Sequence, residues 1–234
     1  MKHGKVCVII PAYNESVAIG GVVKAMHEAL SHSGFNGEII VVDDGSIDGT
    51  SAVAKKAGAT VIKHILNSGA GAATATGLSF AEHKGYVLAA TMDADGQHLP
   101  KDVIEGFKVM SASGDDLLIG SRLIDSDGMS KVKVLGNKGL SLITYVLFGI
   151  NSTDSQSGLR IFSKRSLTEL RWKTSGYEFC SEMLWRAKQL RLSVNEYPIS
   201  AIYTEYSKSK GQSNWNAVNI VRSLLARRIM ELFG

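Results

Sequence analysis

The feature that most constrains this chain is a rhythm of wholly apolar runs. KVCVII (5–10), GEIIVVDDGS (37–46), ATVIKHI (59–65), YVLAATMDAD (86–95) and LLIGSRL (117–123) each begin or centre on β-branched or aliphatic residues. Runs that are apolar at every position, not at every second one, fit strands covered on both faces. The intervals between the first four suit helices. One spans about 16–33. A second is IDGTSAVAKKAG (47–58), ended by Gly58, and a third is GAGAATATGLSFAEHKG (69–85), stopped by Gly85. Strand–helix alternation at this spacing predicts an α/β fold with a doubly wound, mostly parallel sheet. Ligands of such sheets sit outside the carboxyl ends of the strands.

Three of those ends are acidic. PAYNE (11–15), DDGS (43–46) and DADGQ (93–97) bring Glu15, Asp43, Asp44, Asp93 and Asp95 towards one edge. An isolated D-x-D is ordinarily a polar turn. Three acidic loops at one edge are a different matter, because like charges repel unless a ligand offsets them. A divalent cation carrying a phosphate would do so, and an all-oxygen set suits Mg²⁺ or Mn²⁺.

The 234 residues fit one large domain, or one with a small appendage. The net charge of +4 is concentrated from Lys131 onward, which suits an anionic ligand or a membrane surface and, taken alone, nucleic acid. Cys7 and Cys180 lie far apart, and Cys7 falls in a buried run, so a reduced chain is expected. The opening MKHGKVCVIIPAYNE reaches a proline after five strand residues and does not read as a signal peptide.

VIIPAYNE, VVDDGSIDGT, NSGAGAATATGL and MDADGQHLP, in that order and spacing, resemble the family 2 glycosyltransferases of GT-A fold. MDADGQH and SGLRIFSK resemble the dolichol- or polyprenol-phosphate sugar synthase branch. The resemblance covers roughly residues 5–200. It implies a Rossmann-like GT-A catalytic domain over 1–204, followed at 205–234 by a basic loop and an amphipathic C-terminal helix. It also implies a nucleotide-diphosphate sugar donor, GDP-mannose or UDP-glucose, with UDP-GlcNAc behind. Pro11, Ala12, Tyr13, Glu15, Val42 and Asp44 would hold its base and ribose. Gly69, Ala94, Lys208 and Lys210 would complete the nucleotide-sugar site. Asp93 and Asp95, with Gln97, would hold the metal, which would act as a Lewis acid for the leaving nucleotide. Two positions depart from the family pattern: Ala70 stands where a lysine is common, and Asn214 where the tail commonly has lysine. The glycines near 70 fit neither dinucleotide nor P-loop fingerprints, and close helix–sheet packing is the expected use.

On the acceptor side the resemblance points to Arg122, Asp154, Arg160 and Glu182. The arginines suit phosphate. Arg160 suits a structural ion pair equally well, and Glu182 a surface carboxylate. A lipid-phosphate acceptor is already ionised at neutral pH and needs no base, whereas a sugar hydroxyl would need one, Asp154 or Glu182. Direct displacement with inversion is expected. Lys208 and Lys210 lie in YTEYSKSKGQSNWN (203–216), read as a loop closing over the diphosphate or as a solvated linker. GLSLITYVLFGI (139–150) is too short to span a bilayer, and the helix at about 216–233 is interrupted by Arg222, Arg227 and Arg228. Both suit peripheral contact with an anionic membrane, a cover for the sheet, or a dimer contact. The expected location is cytoplasmic, peripheral on the cytoplasmic membrane face. No nucleic-acid partner is expected. A nucleotidyltransferase is disfavoured because PAYNE lacks glycine and basic residues. An inactive nucleotide-sugar-binding module is the non-enzymatic alternative.

Overall fold

The computed structural model describes residues 4–124, 131–200 and 202, without the side chains at 131–133, 137, 147 and 148. The elements run β1 (Val6–Ala12), α1 (Ile19–Ser31), β2 (Gly37–Asp43), α2 (Thr50–Lys56), β3 (Thr60–Lys63), α3 (Ala70–His83), β4 (Leu88–Thr91), α4 (Pro100–Ser113), β5 (Leu117–Ser121), α5 (Lys131–Phe148), β6 (Arg160–Ser163), α6 (Lys164–Glu169), α7 (Phe179–Gln189) and β7 (Val194–Pro198). Lys208, Lys210 and the whole of the expected 205–234 appendage, with its helix at 216–233, lie outside the described residues.

Seven strands form one sheet in the order β3-β2-β1-β4-β6-β5-β7. The expected doubly wound, mostly parallel sheet is present. The exception is β6, which pairs antiparallel with both β4 and β5. The two sides of β1 show why its sequence is apolar throughout. Val6, Val8, Ile10 and Ala12 enter one core with Val23 and Met26 of α1 and Phe107 of α4. Cys7 and Ile9 enter the other with Ala73 and Leu78 of α3 and Met183 and Leu184 of α7. Each such aliphatic side chain contributes about 1.5–3 kcal/mol on burial. Both cysteines are free and buried, as expected of a reduced chain, and burial pushes both thiols up.

The chain winds from β1 outward to β2 and β3, then returns to place β4 on the other side of β1. The β1/β4 boundary is therefore the switch point where a crevice opens at the carboxyl ends. Pro11 shows how β1 ends there. Ile9 O accepts from Met92 N on the β4 side (3.1 Å), and Pro11, two residues on, faces the same way. β4 stops at Thr91, so the N–H that proline lacks has no ladder partner to lose.

Candidate active site

The first two loops are tied to each other by side chains. Asn14, at φ 53°, receives Ile47 N on its Oδ1 (3.1 Å), and its own N–H donates to Ser46 Oγ (2.9 Å). Glu15 N donates to Thr50 Oγ1 at 2.8 Å. Tyr13 is left half-exposed at the rim. Ala12 and Ala94 are buried. Val42 is wholly buried in the core, below α3, so its side chain packs inward and only its backbone is left for the nucleotide contact expected of it.

The structure also corrects the picture of five mutually repelling acids. Asp43 accepts Ser46 N (2.8 Å) and the Ser51 hydroxyl; burial pushes its carboxyl up, but these bonds outweigh it and the net direction is down. Asp44 is buried and accepts Ser68 N (2.9 Å), Gly69 N (2.7 Å) and His64 Nδ1 (2.7 Å). This pair organises the loops and needs no cation. Asp44, expected to meet the ribose or base, has both oxygens engaged in holding the chain that enters α3. Asp93 and Asp95 stand apart from this scaffold, on the turn after β4.

The acid turn follows β4 directly. Asp93 is about half exposed, and its Oδ2 lies 3.0 Å from Nε2 of buried His98. Loss of water on its protein-facing side raises the half-exposed Asp93 carboxyl, but His98 beside it and the charges of Arg122 and Arg160 win and hold it low. Asp95 goes the other way. Burial raises it first and the Asp93 charge second, against opposing hydrogen bonds from Gln97. Gln97 N donates to Asp95 Oδ1 (3.0 Å) and its amide nitrogen donates to Oδ2. Gln97 thus braces Asp95. Gly158 closes one side: a Cβ there would stand 2.3 Å from Asp93 Oδ1, so only glycine lets the loop before β6 approach. Thr91 Oγ1 bonds to Gly158 O at 2.8 Å and fixes that approach.

The acceptor-side candidates are engaged with the protein itself. Asp154 is fully buried and takes a two-pronged pair from Arg122, Nε at 2.7 Å and Nη2 at 2.9 Å. Arg160 is buried and donates to the carbonyls of Ser157 (3.1 Å), Cys180 (3.1 Å) and Ser155 (2.8 Å), joining β6 to α7. That is a structural role, not the phosphate contact offered as its functional one, and its partners are carbonyls, not the acid of an ion pair. Glu182 is 1% exposed, so it is not a surface carboxylate. It accepts Lys173 N (3.0 Å), Thr174 N (2.9 Å) and Thr174 Oγ1 (2.7 Å).

Gly69 and Gly71 pack against a loop, not the sheet. A Cβ on Gly69 would lie 2.4 Å from Ser175 O, and one on Gly71 2.6 Å from Thr174 O. The expected helix–sheet packing is made further along α3, where a Cβ on Gly77 would stand 2.3 Å from Ile9 Cγ2. Two residues at the site were not singled out from the sequence. His98 follows the acid motif directly, and that adjacency was its only signal. Tyr177 is half-exposed, and burial first, then the charges of Asp93, Cys180, Asp95 and Glu15, push its hydroxyl up. Its sequence position gives no such hint.

The acid turn fits a hard divalent cation. Two carboxylates share one turn, and Asp95 is raised by Asp93, a repulsion a cation would relieve. Among the described residues no three or more His, Cys, Asp or Glu are grouped to cage a metal. Two carboxylates leave the other positions to water and phosphate oxygens, the usual arrangement for Mg²⁺.

The family model described as glycosyl transferase family 2 matches residues 7–171. This chain belongs to that family. It is a glycosyltransferase of GT-A fold. An uncharacterised protein of Methanocaldococcus jannaschii is 43% identical over 232 residues, covering 96% of this chain and 93% of that one. A UDP-N-acetylglucosamine–dolichyl-phosphate N-acetylglucosaminyltransferase of Methanococcus voltae is 40% identical, covering 87% and 88%. Among solved structures, glucosyl-3-phosphoglycerate synthase of Mycobacterium tuberculosis, in complex with Mn²⁺, UDP and its product, superposes with TM-score 0.74 at 19% identity, over 97% of this chain and 79% of that one. That likeness bears on the fold.

Proposed function

We propose that this glycosyltransferase moves a sugar from a nucleotide-diphosphate sugar to a polyprenyl or dolichyl phosphate, with inversion at the anomeric carbon. One observation favours the phosphate acceptor over a sugar hydroxyl. The two carboxylates offered as a base for a hydroxyl are both committed, Asp154 to Arg122 and Glu182 to the 173–174 backbone. A phosphate monoester arrives ionised and needs neither. Its oxygen attacks the anomeric carbon, the bond from that carbon to the diphosphate oxygen breaks, and the nucleoside diphosphate departs with the electron pair. Tyr13 and Glu15, on the first loop, would meet the nucleoside end. Asp93 and Asp95 would hold Mg²⁺ or Mn²⁺, whose positive charge would stabilise the leaving diphosphate. Asp154 holds Arg122 at the end of β5, keeping a positive charge beside Asp93.

The Methanococcus voltae relative's name brings UDP-GlcNAc forward beside GDP-mannose and UDP-glucose. Peripheral binding to the cytoplasmic membrane face belongs to the same proposal. Among the described residues no helix is long and apolar enough to cross a membrane. α5 turns Leu140, Ser141 and Thr144 inward and leaves Leu135, Leu142, Tyr145 and Val146 exposed. The catalytic domain is taken as 1–204.

The test is a transfer assay with the three sugar nucleotides, Mn²⁺ or Mg²⁺, and either a short polyprenyl phosphate or the matching polyprenol. Sugar transfer to the phosphate alone, with inverted configuration by NMR coupling, is expected. Transfer to the alcohol, or retained configuration, overturns the reading.

A further inference from the structure

Glu196, on the outermost strand β7, holds two stretches of chain at once. Its Oε1 accepts Ser152 Oγ (2.7 Å) and Thr153 N (2.9 Å), and its Oε2 accepts Thr153 Oγ1 (2.6 Å). A carboxylate only accepts, so the Thr153 hydroxyl gives it its one hydrogen. The 2.6 Å contact between Thr153 Oγ1 and Ser121 Oγ is then a donation from Ser121, whose own lone pairs take Leu123 N at 3.2 Å. The hydrogens therefore run one way, from Leu123 through Ser121 and Thr153 to Glu196. Arg122 lies between the first two of these residues, and Asp154 directly follows Thr153. Asp154 accepts Arg122 through N (3.2 Å), Nε (2.7 Å) and Nη2 (2.9 Å). The Arg122–Asp154 pair is thus flanked in sequence by the residues that the Glu196 carboxylate orders. β7 itself does not depend on these bonds, because it is joined to β5 by its own ladder from Leu117 and Val194 to Ser121 and Pro198.

The sheet sets this pair near the acid turn. Arg160 of β6 faces Thr91 of β4 on one side and Ile119 of β5 on the other. β4 and β5 both run antiparallel to β6, so they leave the sheet at the same edge. Asp93 comes two residues after Thr91, and Arg122 three after Ile119. Two strand spacings, about 10 Å, separate the two strands. The entry to β6 bridges them: Gly158 O accepts Thr91 Oγ1 (2.8 Å) and Leu159 O accepts Gly120 N (2.9 Å). Gly158 also lies against the acid turn, where a Cβ would stand 2.3 Å from Asp93 Oδ1. Granting the reaction above, with Arg122 as its acceptor-side cation, we infer that Glu196 is a positioning residue: through Thr153 and Ser121 it fixes where Arg122 stands at this edge. Its bonds go to Ser152 and Thr153, so its effect on the reaction runs through the chain it holds. A misplacement of about 1 Å in a group that meets substrate costs on the order of 100-fold in rate.

The test breaks the hydroxyl relay while leaving Arg122 and Asp154 in the chain. Thr153→Val keeps the side chain's shape and the backbone N–H to Glu196 but loses both hydroxyl bonds. Thr153→Ser restores the hydroxyl. Glu196→Ala removes the acceptor itself, and Thr153, being exposed, keeps the test open if that variant fails to fold. Hydrogen exchange of the full ligand-free chain, titration with UDP and GDP, and steady-state transfer to a short polyprenyl phosphate are read for each. For Thr153→Val and Glu196→Ala the expected result is faster exchange in the peptides over 121–124 and 152–155, with β1 and β4 unchanged. Nucleotide affinity and donor KM should hold, while kcat/KM for the polyprenyl phosphate falls by about 10- to 100-fold. Thr153→Ser should stay near the wild type. Exchange that rises throughout the sheet, nucleotide affinity that falls as far as kcat/KM, a Thr153→Ser variant as slow as Thr153→Val, or an unaltered kcat/KM in a loosened segment overturns the positioning role. A wild type that transfers no sugar to the polyprenyl phosphate overturns the reaction itself and the role with it. An active wild type beside equally active Thr153→Val and Glu196→Ala overturns the role alone.

Discussion

At the scale of single residues, the acid turn carries opposed shifts. The Asp95 carboxyl is raised in the fold, by burial first and Asp93 second. Its ionised form therefore weakens the metal-free fold. That penalty is absent below the ordinary carboxylate range, grows as pH rises through the window up to the raised value, and is complete above it. Asp93 is held low, so its contribution has the opposite sign: present above the ordinary value and lost as pH falls through the lowered one. Asp95→Asn should accordingly melt at or above the wild type at neutral pH without divalent cation, with the gap closing as pH falls through the carboxylate range. Calorimetry across pH checks this. Added Mn²⁺ should raise the wild-type Tm and leave Asp95→Asn unmoved, while transfer falls by about 100-fold or more. The sequence made this pair legible because it follows an apolar run. It could not show that Asp43 and Asp44, an equally acidic motif, would be consumed by Ser46, Ser51, Ser68 and Gly69. Those partners depend on how the loops fold back.

At the scale of elements, β6 is the part least visible in the sequence, whereas YEFCSEMLWRAKQL (177–190) reads as the helix that α7 (Phe179–Gln189) forms. RIFS is four residues long, and its place between β4 and β5 depends on pairings with residues far away in the chain. Arg160, on that strand, donates to three carbonyls spread over residues 155–180. A lysine has one compact head and cannot reach all three. Arg160→Lys should therefore destabilise the fold by about 2–4 kcal/mol, since buried carbonyls left without donors cost about 1–3 kcal/mol each. Urea unfolding measures it. If Arg160 instead served mainly to contact substrate, stability would hold and only the acceptor KM would rise. Asp154→Asn is expected to lower stability as well, by about 3–5 kcal/mol, because it breaks the two-pronged pair of a fully buried carboxylate with Arg122. Thermal melts of the purified variant check that value.

At the scale of the whole molecule, the exposed face of α5 is where the proposed lipid acceptor would be met. Leu142 and Val146, one turn apart, are 61% and 71% exposed. The same helix bonds inward through Ser141 Oγ to Thr153 O, at the loop that carries Asp154. A bilayer under this face would bring a lipid phosphate to the acceptor side. Vesicles containing anionic lipid should sediment with the wild-type chain, and Leu142→Glu with Val146→Glu should lower the bound fraction at least severalfold while transfer to a short water-soluble polyprenyl phosphate stays unchanged. Equal sedimentation of both proteins would remove α5 from the membrane contact.

The sequence by itself determined the α/β alternation, the buried character of β1, β2 and β4, the edge at which a ligand would bind, and the identity of the acid turn. These follow from local patterns: β-branched runs, helix-length spacers and carboxylates placed just after a strand. Only the tertiary structure decided which acids are spent internally, that the Val42 side chain belongs to the core, and that Arg160 and Glu182 serve the chain and not solvent. Each of those depends on hydrogen-bond partners or neighbours tens of residues away, and burial, which sets whether a charge must find a partner inside the protein, is a property of the packed molecule alone.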